Sequence, residues 1–334
     1  MQRWGRAKSA AGFVVLSPLS AHAKSVALYN SQTYFQEGSL QFKFWGVRGS
    51  IAVPGSDTLG YGGNTTCIEV RGDNGEIVVL DAGTGIFQLG RQLLQESANQ
   101  IHLFISHTHW DHIQGLPMFK PIFVPGNQIQ IYGPVDPLSQ LGIQERLAMQ
   151  MDRHFFPVQQ SDLQSQVTFN DLVEGQSVKV GSLTISSFLF NHPIINFGYK
   201  IDDGSKSLIF TGDHEWPVNP HAPSDSAFAA NQQVIDRRRH ETLEFMANSD
   251  VLVIDTAYTE EEYTTRHGWG HGTFDSSILA AREANVKKVF LTHHEPTRSD
   301  SQLESVFQAA IERNRVTTNE PIILLAKEGL TVGL

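Results

Sequence analysis

Short apolar runs rich in β-branched and aromatic residues recur along the chain from Gln41 onward. They are Phe42–Val47, Ile77–Leu80, Ile101–Ile105, Gln128–Tyr132, Leu183–Phe190, Leu208–Phe210, Val251–Ile254, Val289–Leu291 and Ile322–Leu325. Most are bounded by Gly, Asn, Asp or Pro, and runs this short and so punctuated predict strands. Thr66–Val70 is a further strand-like run. Longer stretches with helical spacing fall between some of them: Ile86–Gln95, Leu138–Gln150, Val234–Ala247, Phe274–Ala284 and Gln302–Arg313. Thr273 or Asp275 stands where a cap for the Phe274 helix is needed. Strands come in groups with helices after the groups, not in strict alternation. The predicted class is α/β, with packed sheets and helices outside them rather than one doubly wound sheet. The sequence shows no internal repeat and no low-complexity tract. Glycines concentrate in 46–63 and 268–272, which marks loops of a site.

Residues 1–39 precede the first run and are expected to lie outside the folded domain, which spans 40–334. Arg3, Arg6 and Lys8, the weakly apolar Ala10–Leu19 and then Ala21-His22-Ala23 have the outline of a secretory signal. The apolar run is short and broken by Ser17 and Pro18, so a disordered leader is the competing reading. The expected location is the cytoplasm, or the periplasm or exterior if residues 1–23 are a signal peptide. No stretch approaches the roughly 20 apolar residues of a membrane span. The formal net charge of -10 disfavours nucleic acid as a partner. A small anion stays admissible, because bound cations would dominate the local field. Cys67 is the single cysteine; it excludes an internal disulfide and reads as a small buried residue.

The densest chemical signal is His107-Thr108-His109-Trp110-Asp111-His112, just after the run Ile101–Ile105. Alternation puts His107 and His109 on one side, and a turn at Trp110 carries Asp111 and His112 to an adjacent position. Imidazole nitrogens and a carboxylate are the ligands a borderline ion such as zinc accepts. Four residues cannot fill two metal sites, so further ligands must lie downstream. His192, Asp213 and His293 each stand just past the end of an apolar run, as the first cluster does. His294, next to His293, is the weaker candidate.

The motif HxHxDH followed by single His, Asp and His ligands resembles the metallo-β-lactamase superfamily over about residues 41–334. Asp111-His112-Ile113-Gln114-Gly115-Leu116-Pro117, Ile131-Tyr132-Gly133-Pro134 and Gly270-His271-Gly272-Thr273 are similar to its ribonuclease Z branch. The resemblance implies an αββα four-layer sandwich with two divalent metal ions at one edge, zinc or alternatively manganese. One ion would take His107, His109 and His192, the other Asp111, His112 and His293, with Asp213 bridging. Asp81 would orient a ligand histidine. Asp111 and His271 are the expected catalytic residues, His271 protonating the leaving oxygen. A metal pair would also acidify a bridging water for attack.

The ribonuclease Z arm that clasps tRNA has no room between His192 and Asp213, and the acidic charge argues the same way. Phe44-Trp45-Gly46-Val47-Arg48-Gly49-Ser50, Tyr61-Gly62-Gly63-Asn64-Thr65 and Tyr258-Thr259-Glu260-Glu261-Glu262-Tyr263 resemble the anti-Pycsar phosphodiesterases. The expected substrate is therefore a small phosphodiester, foremost a 3',5'-cyclic nucleotide, with Arg48, Asn64 and Trp269 as substrate contacts. A structural salt bridge is the competing role for Arg48, and core packing for Trp269. Two alternatives stay open on the same fold: a carbon-centred hydrolase (lactamase, lactonase or thioesterase) and a tRNA 3'-processing endonuclease. The resemblance also implies a homodimer. The basic run Arg237-Arg238-Arg239-His240 reads as a solvated helix face. The Pro/Ser/Ala-rich segment between Trp216 and Gln233 reads as a long loop that either gates the cleft or lies free on the surface.

Overall fold

The computed structural model describes residues 40–317 and 321–334; the leader and its signal-like outline lie outside them. The first half of the chain supplies β1 (Leu40–Gly46), β2 (Cys67–Gly72), β3 (Ile77–Leu80), β4 (Gln100–Phe104), β5 (Gln128–Pro134) and β6 (Gln166–Leu172). The second half supplies β7 (Ser177–Val180), β8 (Leu183–Phe190), β9 (Asn196–Asp202), β10 (Ser207–Phe210), β11 (Val251–Asp255), β12 (Lys288–Thr292), β13 (Ile322–Leu325) and β14 (Thr331–Gly333). They form two seven-stranded sheets, ordered β14-β1-β2-β3-β4-β5-β6 and β13-β12-β11-β10-β9-β8-β7. In each sheet three antiparallel pairings are followed by three parallel ones.

The helices are α1 (Ile86–Gln95), α2 (Trp110–Ile113), α3 (Ile143–Gln150), α4 (Phe228–Met246), α5 (Glu260–Tyr263), α6 (Phe274–Glu283) and α7 (Asp300–Arg313). Three apolar clusters account for the layering. Phe42, Phe44, Val78, Leu80, Tyr199, Val251 and Val253 meet between the sheets. The opposite faces of β3 and β4 (Val79, Ile101, Leu103) pack under α1 and α3. Those of β11 and β12 (Leu252, Ile254, Val289, Leu291) pack under α6 and α7. The fold is thus the αββα sandwich. Central strands such as Ile77–Leu80 read as unbroken apolar runs because both their faces are covered.

Two expectations need correction, and β9 is a strand outside the expected runs. The third helix starts at Ile143, not Leu138, because the Asp136 carboxylate accepts the Leu138 and Ser139 N–H groups and holds a turn there. The segment expected to be loop up to Gln233 becomes helical at Phe228, and Asn219 ties it to that helix through Phe228 O and Gln232. Strand β9 carries Asn196, Gly198, Lys200 and Asp202, which mask its alternating Phe197, Tyr199 and Ile201, all buried between the sheets.

Candidate metal centre

The candidate ligands come from both sheets and stand at strand ends along one edge. After β4 the chain bends at Ser106, is extended at His109 and then enters the single turn α2, which redirects Asp111 and His112. His192 follows β8, Asp213 follows β10 and His293 follows β12. The last of these junctions, and the one after β3, use backbone that side-chain-bearing residues rarely adopt, with φ of 59° at His293 and 60° at Asp81. Gly49 has to be glycine, since a Cβ there would run into the His293 ring.

The donor atoms of His107, His109, His192 and Asp213 all lie within 4.8 Å of one another, and so do those of Asp111, His112, Asp213 and His293. Asp213 belongs to both groups. Its Oδ1 is 3.1 Å from His112 Nε2, and its Oδ2 is 3.5 Å from His107 Nε2 and 3.4 Å from His293 Nε2. His109 Nδ1 and His192 Nε2 face each other at 3.0 Å, and His293 Nε2 is 3.2 Å from Asp111 Oδ2. His107 Nε2, His112 Nε2 and Asp213 Oδ1 are buried without a hydrogen-bond partner. Each such atom costs about 1–3 kcal/mol, so their convergence fits a bound cation, and the nitrogen-and-carboxylate donor set fits zinc.

Several of the remaining ring nitrogens are tied down. His112 Nδ1 donates to Asp81 Oδ2 at 2.7 Å, and Asp81 also accepts the Ser106 N–H and hydroxyl, each at 2.7 Å. His192 Nδ1 donates to the Gly270 carbonyl at 3.0 Å. Asp111 Oδ2 accepts the Ser50 N–H at 2.7 Å. These bonds aim the free nitrogens at the centre.

Charge divides the cluster in two. Burial, then the neighbouring His192, lowers His109 to about 4, and burial lowers His107 and His192 as well. Burial also opposes protonation of His293, yet Asp213, Asp255 and Asp111 raise it to about 10; His112 is raised likewise by Asp213, Asp111 and Asp81. Burial works against charge on Asp111 and Asp213 too, but the surrounding histidines, His112 first, hold both well below the usual carboxylate range. The histidines of the His107 side are thus shifted toward the neutral form that ligates, and those of the His112–His293 side are shifted the other way by the carboxylates around them.

His271 stands at the same edge, its ring stacked on His293 with centroids 4.4 Å apart. Its Nδ1 is 2.9 Å from Asp255 Oδ2. Asp255 was not singled out from the sequence, although it ends β11 much as the ligands end theirs; one aspartate after an apolar run is too common to stand out. Asp213, Asp255, His271 and His293 make a third, overlapping group with ligand spacing. The Asp255 bond already occupies the His271 nitrogen that faces it.

The expected substrate contacts separate. Arg48 is fully buried and bonded to Gly62 O, Arg298 O and Asp300 Oδ1, which corrects its assignment: it clamps three loops together and presents nothing to a ligand. Asn64 is likewise spent on Glu328 and Thr84. Trp269 is 60% exposed, two residues before His271, and Trp110, between two candidate ligands, is 73% exposed. His294 turns away from the centre to bond Ala326 O at 2.8 Å. Arg238 and Arg239 pair with Glu174, Glu241 and Glu283 on a helix face.

A double sheet with ion-ligating residues along one edge defines a metal-dependent hydrolase. The sequence profile of the Beta-lactamase superfamily domain matches residues 77–294, and the chain belongs to the metallo-β-lactamase superfamily, on its ribonuclease Z-like branch. A ribonuclease Z of Prochlorococcus marinus (strain MIT 9515) is 24% identical over 289 residues, 77% of this chain and 89% of that protein. Among solved structures, the metallo-beta-lactamase fold protein YhfI from Bacillus subtilis is similar with a TM-score of 0.61 and 16% identity, covering 88% of this chain and 98% of that one. A diphosphatase from the PhnP family is similar with a TM-score of 0.57 and 20% identity, over the same shares. Among the described residues no helix is long and apolar enough to cross a membrane.

Proposed function

We propose that this enzyme is a two-metal phosphodiesterase for small phosphodiesters, foremost 3',5'-cyclic nucleotides. The observation that carries the reading is the Asp255–His271 pair, joined at 2.9 Å beside the two ligand groups. An alkoxide leaving a phosphate needs a proton donor, and a histidine held by a carboxylate beside the ligand groups can serve as one. Asp255 holds the His271 ring through Nδ1, so that Nε2 is the nitrogen left to serve the leaving oxygen. The likeness to a ribonuclease Z and to a diphosphatase supports a phosphorus-centred substrate.

His107, His109 and His192 would hold one ion and Asp111, His112 and His293 the second, with Asp213 between them; zinc suits the set and manganese is the alternative. When bound, the ions supply Lewis acidity toward the phosphoryl oxygens and activation of water. The exposed rings of Trp269 and Trp110 offer flat apolar surfaces for a base. A homodimer is part of the proposal, to be checked by light scattering in solution.

Purified metal-replete protein should hydrolyse bis(p-nitrophenyl) phosphate and at least one 3',5'-cyclic mononucleotide. Both activities should vanish on chelation and in His109→Ala. Turnover of an ester or lactam alone, indifferent to His271→Ala, would give the site to a carbon-centred hydrolase, and cleavage of precursor tRNA to a processing endonuclease.

A further inference from the structure

Two residues beyond Asp213, a glutamate is buried to 6% exposure with no role in the chemistry above. Its carboxylate accepts three hydrogen bonds from one loop. Oε1 takes the Tyr263 hydroxyl at 2.6 Å and the Gly268 N–H at 2.8 Å, and Oε2 takes the Gly270 N–H at 2.7 Å. Its backbone is bound on the other side: Glu215 N donates to Asn191 O at 2.9 Å, and Asn191 Nδ2 donates to Glu215 O at 2.8 Å. The circuit closes through the site, since the Gly270 carbonyl accepts His192 Nδ1. One residue, through its side chain and its backbone, thus joins the segments that carry His192, Asp213 and His271.

The chemistry of the joint is specific. Three donors converge on two oxygens, and only an acceptor without hydrogens of its own satisfies them all. A glutamine would set its NH2 against at least one N–H. An aspartate is one methylene too short to reach the loop from the same backbone. The loop itself is unusual: Gly268 and Gly270 both have positive φ, 81° and 92°, and a Cβ on Gly270 would strike His192. A backbone this permissive has no intrinsic reason to hold its carbonyl toward His192. The carboxylate supplies that reason.

We propose that Glu215 is a positioning residue: it fixes the Gly268–His271 backbone so that the Gly270 carbonyl orients His192 and His271 is held over the metal centre. The first consequence rests on the metal-centre reading, the second on the phosphodiesterase reading as well. Partners that orient a ligand histidine typically carry about 10–100-fold in metal affinity or activity.

Glu215→Gln, nearly isosteric, tests both in the full-length protein. Competition against a zinc chelator should show affinity about tenfold or more weaker than wild type. At saturating zinc, kcat on a 3',5'-cyclic nucleotide should fall at least tenfold, while bis(p-nitrophenyl) phosphate, whose leaving group needs no proton, falls markedly less. KM should hold. Unchanged zinc affinity together with an equal loss on both substrates overturns the proposal and leaves Glu215 a fold residue. If wild type cleaves no phosphodiester, the proposed function fails, and the chelator competition alone decides the role of Glu215. Should Glu215→Gln not fold, Tyr263→Phe, which removes one of the three donors, is read by the same competition. A weakening of about threefold or more supports the proposal, and wild-type affinity overturns it.

Discussion

The Asp81 carboxylate, fully buried, receives the Ser106 amide, the Ser106 hydroxyl and His112 Nδ1. Burial raises its pKa, and the pull of His112 only partly offsets that. Asp81→Asn keeps the volume but offers an NH2 where donors already point, so zinc affinity measured by chelator competition should drop about 10–100-fold. Arg48 gives the opposite expectation. Arg48→Met should leave KM unchanged and destabilise the protein by about 3–5 kcal/mol in urea unfolding, because Asp300 and three carbonyl groups lose a partly or fully buried partner. Glu76 provides a pH test away from the site. Slight burial works against its charge, but the Ser182 amide and hydroxyl and the Asn74 side chain lower it from 4.5 to about 2. A depressed folded-state pKa contributes stability above the unfolded value, lost as pH falls through the folded one. The stability gap between wild type and Glu76→Ala should therefore be full at pH 7 and shrink as pH drops from 4.5 toward 2. At this scale the candidate ligands were legible because three histidines and an aspartate crowd six positions. Asp255 and Glu215 were not, since a lone acid is defined as functional only by what the fold sets opposite it.

Among the elements, α6 and α7 begin with reciprocal caps. Thr273 accepts the Ser276 N–H and Ser299 the Gln302 N–H, with the third residue of each helix bonding back. Thr273→Ala should cost about 1 kcal/mol in urea unfolding. Short buried strands bounded by turn residues were readable because two covered faces leave only apolar choices, as in Ile77–Leu80. β9 escaped because its polar positions alternate with the buried ones, and β6 because an edge strand can carry Gln, Asn and Asp. The onset of α4 escaped for a related reason. Its burial is confined to Thr242 and Met246, so its first turns carry almost no apolar pattern.

For the whole molecule, the two sheets repeat one scheme of three antiparallel and three parallel pairings. No trace of this shows in the residues, because pairing direction depends on backbone connection while the side chains suit different neighbours in each sheet. The candidate ligands divide between the halves: His107, His109, Asp111 and His112 from the first, His192, Asp213 and His293 from the second. An ion bound to both favours the state in which the halves are docked. Chelation should lower the melting temperature, and added zinc should restore it in a concentration-dependent way, as scanning calorimetry would show. A melting temperature indifferent to zinc would mean that the sandwich is held by its apolar interior alone. Which small molecule enters lay beyond the sequence, because it depends on exposed rims such as Trp110 and Trp269, whose placement no periodicity dictates.

The last strand, β14, pairs with the first, β1, through Gln41↔Gly333, Phe42↔Val332 and Lys43↔Thr331. During synthesis, β1 emerges from the ribosome long before its neighbour exists and waits with one edge open. That edge is filled only once β14 has followed, so the first sheet closes after every other strand has been made. Removal of Thr331–Gly333 should then be felt at Leu40–Gly46, far away in sequence. Hydrogen exchange in β1 is where such a shortened chain would first betray itself.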